Sequence, residues 1–197
     1  MTFSLERRWP LWLGAILVLA VLLRLGYSFG VARGLLDLQP QLEANDGYGL
    51  IAENLYAGNG YRFAPDKLPT AMRAPVYPLM LWGTFEVFGV NYAVIQVLQA
   101  LLGALTCYLV FLLGRWVLSI EVGLIAALLC AFYPNAIIYS SRIYAENAYY
   151  PLFVGFAYLL CRISLTPPTL LQTTGVPLAI ASRTASPSSS THATSRP

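Results

Sequence analysis

The stretch Trp9–Val31, WPLWLGAILVLAVLLRLGYSFGV, decides the fold class. Its one ionised side chain is Arg24, and Arg7 and Arg8 stand just before it. A secretory signal has an apolar core of about 7–15 residues followed by a small-residue cleavage site. This run is longer and has no clear small-x-small site. About 20 consecutive apolar residues cross the hydrocarbon of a bilayer as a helix. The run therefore reads as an uncleaved transmembrane helix with its N-terminus in the cytoplasm, where basic flanks are preferred. Arg24, inside the run, can snorkel toward the far interface.

The rest of the chain agrees. Of 197 residues, 57% are apolar and 11% charged, and the mean hydropathy is +0.62. A soluble domain has about a quarter of its residues charged. The composition argues against a soluble enzyme, and against disorder for most of the chain. A net charge of +3, from Lys and Arg that form no patch, does not point to nucleic acid. Cys107, Cys130 and Cys161 each lie in an apolar run without CxxC spacing, so they read as small buried hydrophobes. The single histidine, His192, sits in a polar tail, which leaves no basis for histidine catalysis or a histidine metal site.

Beyond the first helix the pattern breaks. Residues 34–74 hold Asp37, Glu43, Asp46, Glu53 and Asp66. Within them Tyr48, Ile51, Ala52, Leu55 and Tyr56 follow the i, i+3, i+4, i+7 rule of an amphipathic helix. Glu53 and Asn54 fall off that face. Gly58 and Gly60 end the helix, since glycine takes left-handed conformations cheaply. Such a helix suits the membrane interface.

Four apolar segments follow, at 75–89, 92–114, 119–139 and 147–161. The first is short, and Pro75 and Pro78 open it, so it is expected to be interfacial or re-entrant. The other three cross. That topology puts Arg7, Arg8, Arg115 and Arg162 on the cytoplasmic side, and Glu146 on the same outer side as the acidic loop. The expected fold is an all-α polytopic membrane bundle with about four spans (9–31, 92–114, 119–139 and 147–161). Its first outer loop, 34–89, carries the interfacial helices. The membrane domain is expected over 1–163, and a disordered Ser/Thr/Pro-rich tail over 164–197. So abrupt a change of character suggests truncation or a frameshift; a genuine extramembrane tail is the alternative.

Three constellations carry possible chemistry. Asp46, before Gly47-Tyr48, can act as a general base on an acceptor hydroxyl or amine, or can cap the helix that follows. Arg73, at the head of Arg73-Ala-Pro-Val-Tyr77-Pro78, can pair with a phosphate, or can be an interfacial anchor like its aromatic neighbours. Glu146 stands beside a membrane helix end, where an acid must be solvated, paired or used. If 142–146 is helical, Arg142 and Glu146 form an i, i+4 ion pair.

The order of these motifs along the chain is more specific than any of them. It runs span, Asp46-Gly-Tyr, Ile-Ala-Glu-Asn-Leu, Gly-Asn-Gly-Tyr, Arg-Ala-Pro-Val-Tyr-Pro, Phe88-Gly89, a helix with Gln96 and Gln99, Gly114-Arg115, Tyr133-Pro134 and Glu146. Over residues 9 to about 162 the series resembles the N-terminal part of the GT-C superfamily of integral-membrane glycosyltransferases. The likeness is greatest to the bacterial branch of protein O-mannosyltransferases and aminoarabinose lipid A transferases. The resemblance implies transfer of a sugar from a polyprenyl-phosphate carrier, within membrane lipid, to an acceptor at the outer face of a bacterial inner membrane. It also implies roles. Asp46 matches the general base, with Glu43 as fallback; Glu146 matches the second acidic position; Arg73 matches the basic position near the carrier phosphate. Arg142 and Tyr77 are secondary candidates. Some relatives use a divalent metal and others do not, and no metal ligand is assigned. Such enzymes continue with further helices, so a fragment, expected to be inactive alone, is the corresponding reading. The competing one is a non-catalytic remnant or subunit of a transport or assembly complex. That reading expects a line of intramembrane charges, and the spans after Arg24 carry almost none between their ends, with Glu121 near one end.

Overall fold

A computed structural model describes residues 3–35 and 47–165. Every regular element among the described residues is helical. Helix α1 covers Phe3–Leu25 and continues as a π-helical stretch over Gly26–Leu35. Then come α2 (Tyr48–Tyr56), α3 (Val76–Phe88), α4 (Tyr92–Val117), α5 (Ile120–Ala131), α6 (Pro134–Tyr139) and α7 (Glu146–Leu165). The contacts divide the chain into two units, Met1–Leu159 and Leu160–Pro197. Of the second, only the last turns of α7 are described.

Among the described residues, two helices are long and apolar enough to cross a membrane: Arg8–Ala32, of 25 residues, and Tyr92–Val117, of 26. The expected span at 119–139 is two helices instead. α5 stops at Ala131 and α6 starts at Pro134. Proline has no N–H to continue the ladder, and it holds the preceding residue extended. Tyr133 accordingly has φ −64° and ψ 113°. The segment at 75–89 is a helix of 13 residues, shorter than a span, as the two prolines suggested.

Local chemistry sets the other boundaries. Asn91 Oδ1 accepts from Ala93 N at 3.0 Å and opens α4. Ser119 Oγ accepts from Val122 N at 3.3 Å and opens α5. Both are N-caps that satisfy helix donors left without partners. α2 ends at Ala57, followed by Gly58 at φ 76° and Gly60 at φ 87°.

Two cores result. In the first, Leu13, Ile16 and Ala20 of α1 meet Cys107 and Phe111 of α4 and Leu124, Ala127 and Ala131 of α5. α4 and α5 approach so closely that a Cβ on Gly114 would stand 2.8 Å from Gly123 Cα. At one end of this core Trp9 stacks on Phe111, with ring centroids 5.4 Å apart, and Arg115 lies over the Trp9 ring at 4.6 Å. Arg8 and Arg115 thus share one end of the α1–α4 pair. The second core joins Ala52 of α2, Tyr77, Leu81 and Phe85 of α3, Ile95 of α4, and Ile143, Ala145 and Ala148 at the entry to α7. Gln99 of this region and Arg115 are sixteen residues apart on α4, about 24 Å at 1.5 Å per residue. The second core therefore sits at the end of α4 opposite the arginines.

Two expectations are corrected. Arg24 does not snorkel. It is 1% exposed, and its Nη1 donates to Ala20 O at 3.0 Å. Asn54 is not on the free face of α2. It is buried, donates to Leu50 O at 2.9 Å and accepts from Asn59 Nδ2 at 3.1 Å, which ties the Gly58–Gly60 turn to the helix.

Candidate functional site

The second core brings together polar side chains that are far apart in sequence. Tyr77, in the first turn of α3, is fully buried. Its hydroxyl accepts from Gln99 Nε2 of α4 at 2.6 Å. Its ring meets the Tyr48 ring edge-on, with centroids 5.4 Å apart. The Arg73 guanidinium lies 5.6 Å from the centroid of the same Tyr48 ring, and Tyr61 Oη donates to Arg73 O at 3.0 Å. Tyr48 therefore links α2 to both Arg73 and Tyr77.

Glu146 is the first residue of α7. Burial raises the Tyr77 hydroxyl well above its ordinary range; the Gln99 hydrogen bond opposes this, and the nearby Glu146 charge adds to it. Tyr77 stays protonated, so it can donate a hydrogen bond but offers no phenolate. Glu146 is half-buried and Arg73 is half-buried, so a ligand can reach both.

The turn before α7 is held by amides. Gln96 Nε2 donates to Ser141 O at 2.9 Å. Asn147 Nδ2 donates to Tyr139 O at 2.9 Å and to Tyr144 O at 3.2 Å. These bonds fix where Glu146 emerges. They also overturn the i, i+4 pair expected of Arg142 and Glu146. Residues 140–145 form a turn, the helix begins only at Glu146, and no salt bridge joins the two among the described residues.

Of the expected site residues, Arg73 and Tyr77 meet through Tyr48, and Glu146 lies close enough for its charge to act on Tyr77. Arg142 lies on the turn below them. Asp46 and Glu43 lie outside the described residues. The chain resumes at Gly47, which takes the N-cap position of α2 with φ 72°. The cap expected of Asp46 therefore falls on a residue without a side chain. A Cβ on Gly47 would meet the Phe63 ring at 2.5 Å, so glycine is required there for space as well as conformation. Among the described residues, no three His, Cys, Asp or Glu side chains come together as a metal site.

Sequence reasoning missed the partners that orient this cluster: Gln96, Gln99, Asn147 and Tyr48. It also missed Glu53, whose Oε1 accepts from Tyr92 Oη at 2.9 Å and pins α2 to α4. The usable signal was amides at 96 and 99 inside an otherwise apolar helix, where an unpaired amide is costly.

Residues 72–183, more than half of the chain, match the family model described as dolichyl-phosphate-mannose-protein mannosyltransferase. Arg73, Tyr77, Arg142 and Glu146 lie inside the matched stretch, and Glu43 and Asp46 precede it. No curated protein and no solved structure matches the chain. With its two span-length apolar helices, the chain belongs to the dolichyl-phosphate-mannose-protein mannosyltransferase family of integral-membrane glycosyltransferases.

Proposed function

We propose that this chain carries the catalytic end of a membrane glycosyltransferase that takes a sugar from a polyprenyl-phosphate carrier. The observation that carries the reading is that Tyr48 bridges Arg73 and Tyr77, with the Glu146 charge close enough to act on the Tyr77 hydroxyl. Tyr48 is two residues after Asp46. An acid and a cation that a ligand can reach, beside the Tyr48 ring and the buried Tyr77, suit a donor with a phosphate leaving group.

In the proposed step, the Asp46 carboxylate takes the proton of an acceptor hydroxyl. The acceptor oxygen bonds to the anomeric carbon. The bond from that carbon to the phosphate oxygen breaks, and its electron pair leaves with the polyprenyl phosphate. Arg73 neutralises the charge that builds there, through charge-assisted hydrogen bonds. Glu146 accepts from hydroxyls of the sugar or acceptor, or serves as a second base. The site faces outward, away from the Arg8 and Arg115 end, which the positive-inside rule puts in the cytoplasm of a bacterial inner membrane.

The test is transfer of radiolabelled sugar from a polyprenyl-phosphate donor to membrane acceptors, in membranes containing the protein. Transfer above control membranes is expected. Asp46→Asn should lower it roughly 100-fold or more, the size of a lost general base. Transfer unchanged in both Asp46→Asn and Glu146→Gln would overturn the assignment.

A further inference from the structure

Cys107 of α4 and Cys130 of α5 are twenty-three residues apart in sequence, yet the fold sets them against each other. The two helices, joined at Leu118 and Ser119, run antiparallel and touch through Gly114 and Gly123, where a Cβ on the first would stand 2.8 Å from the Cα of the second. Cys107 is seven residues before Gly114, and Cys130 is seven after Gly123. Seven residues are close to two turns, so each cysteine shares a face with its glycine. In an antiparallel pair, those equal steps bring the cysteines opposite one another. Their thiols are in hydrogen-bonding contact, and both side chains pack in the α1–α4–α5 core. A disulfide needs just such close backbones, with Cα atoms about 4.4–6.8 Å apart.

Both cysteines are free thiols. Cys107 is fully buried, whereas Cys130 is half-buried and lines a cavity of about 210 Å³ whose apolar walls include Val110, Ala136 and Val154. The buried Arg24 guanidinium reaches the Cys107 thiol, and its charge acts on Cys130. A cation beside a thiol favours the thiolate, which is the form that attacks sulfur. Cys107 lies midway between Gln99 and Arg115, about 12 Å along α4 from each. A reagent that reaches this depth through an apolar cavity is itself small and apolar.

We propose that Cys107 and Cys130 are a redox-active dithiol, a modification site at which a small apolar disulfide oxidises the pair to a bond between α4 and α5. The Cys130 thiolate attacks one sulfur of the reagent. The S–S bond breaks, and its electron pair leaves with the other sulfur, which takes up the proton that Cys130 gave up. Cys107 then attacks Cys130 Sγ in the mixed disulfide, and its proton goes to the second sulfur released. Two protein thiols are oxidised, and one disulfide is reduced to two thiols. The site does not rest on the donor-site assignment.

The test uses the full chain in detergent, carrying Cys161→Ser so that only the pair can react, with dipyridyl disulfide as the reagent. One equivalent should release two thiones per chain, leave no pyridyl adduct, and give on digestion a linked pair of peptides containing residues 107 and 130. Adding Cys107→Ser should release one thione and keep the adduct at Cys130. Adding Cys130→Ser instead should slow the reaction at least roughly tenfold, since Cys107 is shielded. The proposal is overturned if Cys161→Ser keeps a stable adduct, links between chains or does not react. It is also overturned if the Cys130→Ser chain reacts as fast as the Cys107→Ser chain. The Cys161→Ser result decides even where a second substitution prevents folding.

Discussion

Gln99 Nε2 donates to the Tyr77 hydroxyl at 2.6 Å, and both side chains are fully buried. The bond ties the start of α3 to α4, beside the Tyr48 ring that meets Arg73. Gln99 Oε1 already has no partner. Tyr77→Phe would therefore leave the whole amide unsatisfied, at a cost of about 1–3 kcal/mol. Removing both groups, as Tyr77→Phe with Gln99→Leu, should recover most of that loss. A double-mutant cycle on thermal melts in detergent measures the coupling. Additive losses would mean that the bond contributes nothing.

The same burial predicts a pH effect. Folding raises the Tyr77 hydroxyl above its unfolded value of 10.0, chiefly by burial. Above about pH 10 the unfolded chain loses this proton while the folded chain keeps it, so rising pH favours unfolding. The contribution is fully present below pH 10 and declines above it. Melting temperature followed from pH 8 to about pH 11 should fall less steeply in Tyr77→Phe than in the wild type. Parallel curves would place the alkaline loss on other tyrosines.

Glycines at the α4–α5 crossing should be intolerant where one in α3 is not. A Cβ on Gly123 would lie 2.7 Å from Phe111 O and 2.9 Å from Arg115 N, both backbone atoms that cannot swing aside. Alanine at Gly114 or Gly123 should cost about 1–3 kcal/mol by overpacking. Gly83, in the middle of α3, has nothing within 4 Å of a built Cβ. Gly83→Ala should be neutral or stabilise by up to about 1 kcal/mol through helix propensity. Melts of the three variants in one detergent test this, and the two classes should separate.

Much of the helical fold was legible because apolar runs and prolines act locally. Trp9–Val31 and 92–114 announce α1 and α4 by length alone, and Pro75 and Pro78 announce that α3 is short. Pro134 carried the signal that 119–139 would break, and the apolar composition on both sides of it concealed this. What was not legible depends on contacts between helices. Arg24 stays buried because Gly103, on another helix, leaves room for it. Asn54 is buried because Asn59 and the following turn fold back on it. The Arg142–Glu146 pair assumed a helix that the amide bonds of Gln96 and Asn147 replace with a turn. In the candidate site, Arg73, Tyr77 and Glu146 were named from motif order, but the Gln99 and Tyr48 contacts to Tyr77 and Arg73 required the structure.

The most direct measurement is binding of a short polyprenyl phosphate, such as farnesyl phosphate, to the full chain in detergent, wild type against Arg73→Ala and Arg73→Lys. The account predicts saturable binding that Arg73→Ala weakens roughly tenfold or more, with Arg73→Lys in between because the charge remains and the guanidinium fork is lost. No binding by the wild type, or equal binding by Arg73→Ala, would contradict a donor phosphate at this site.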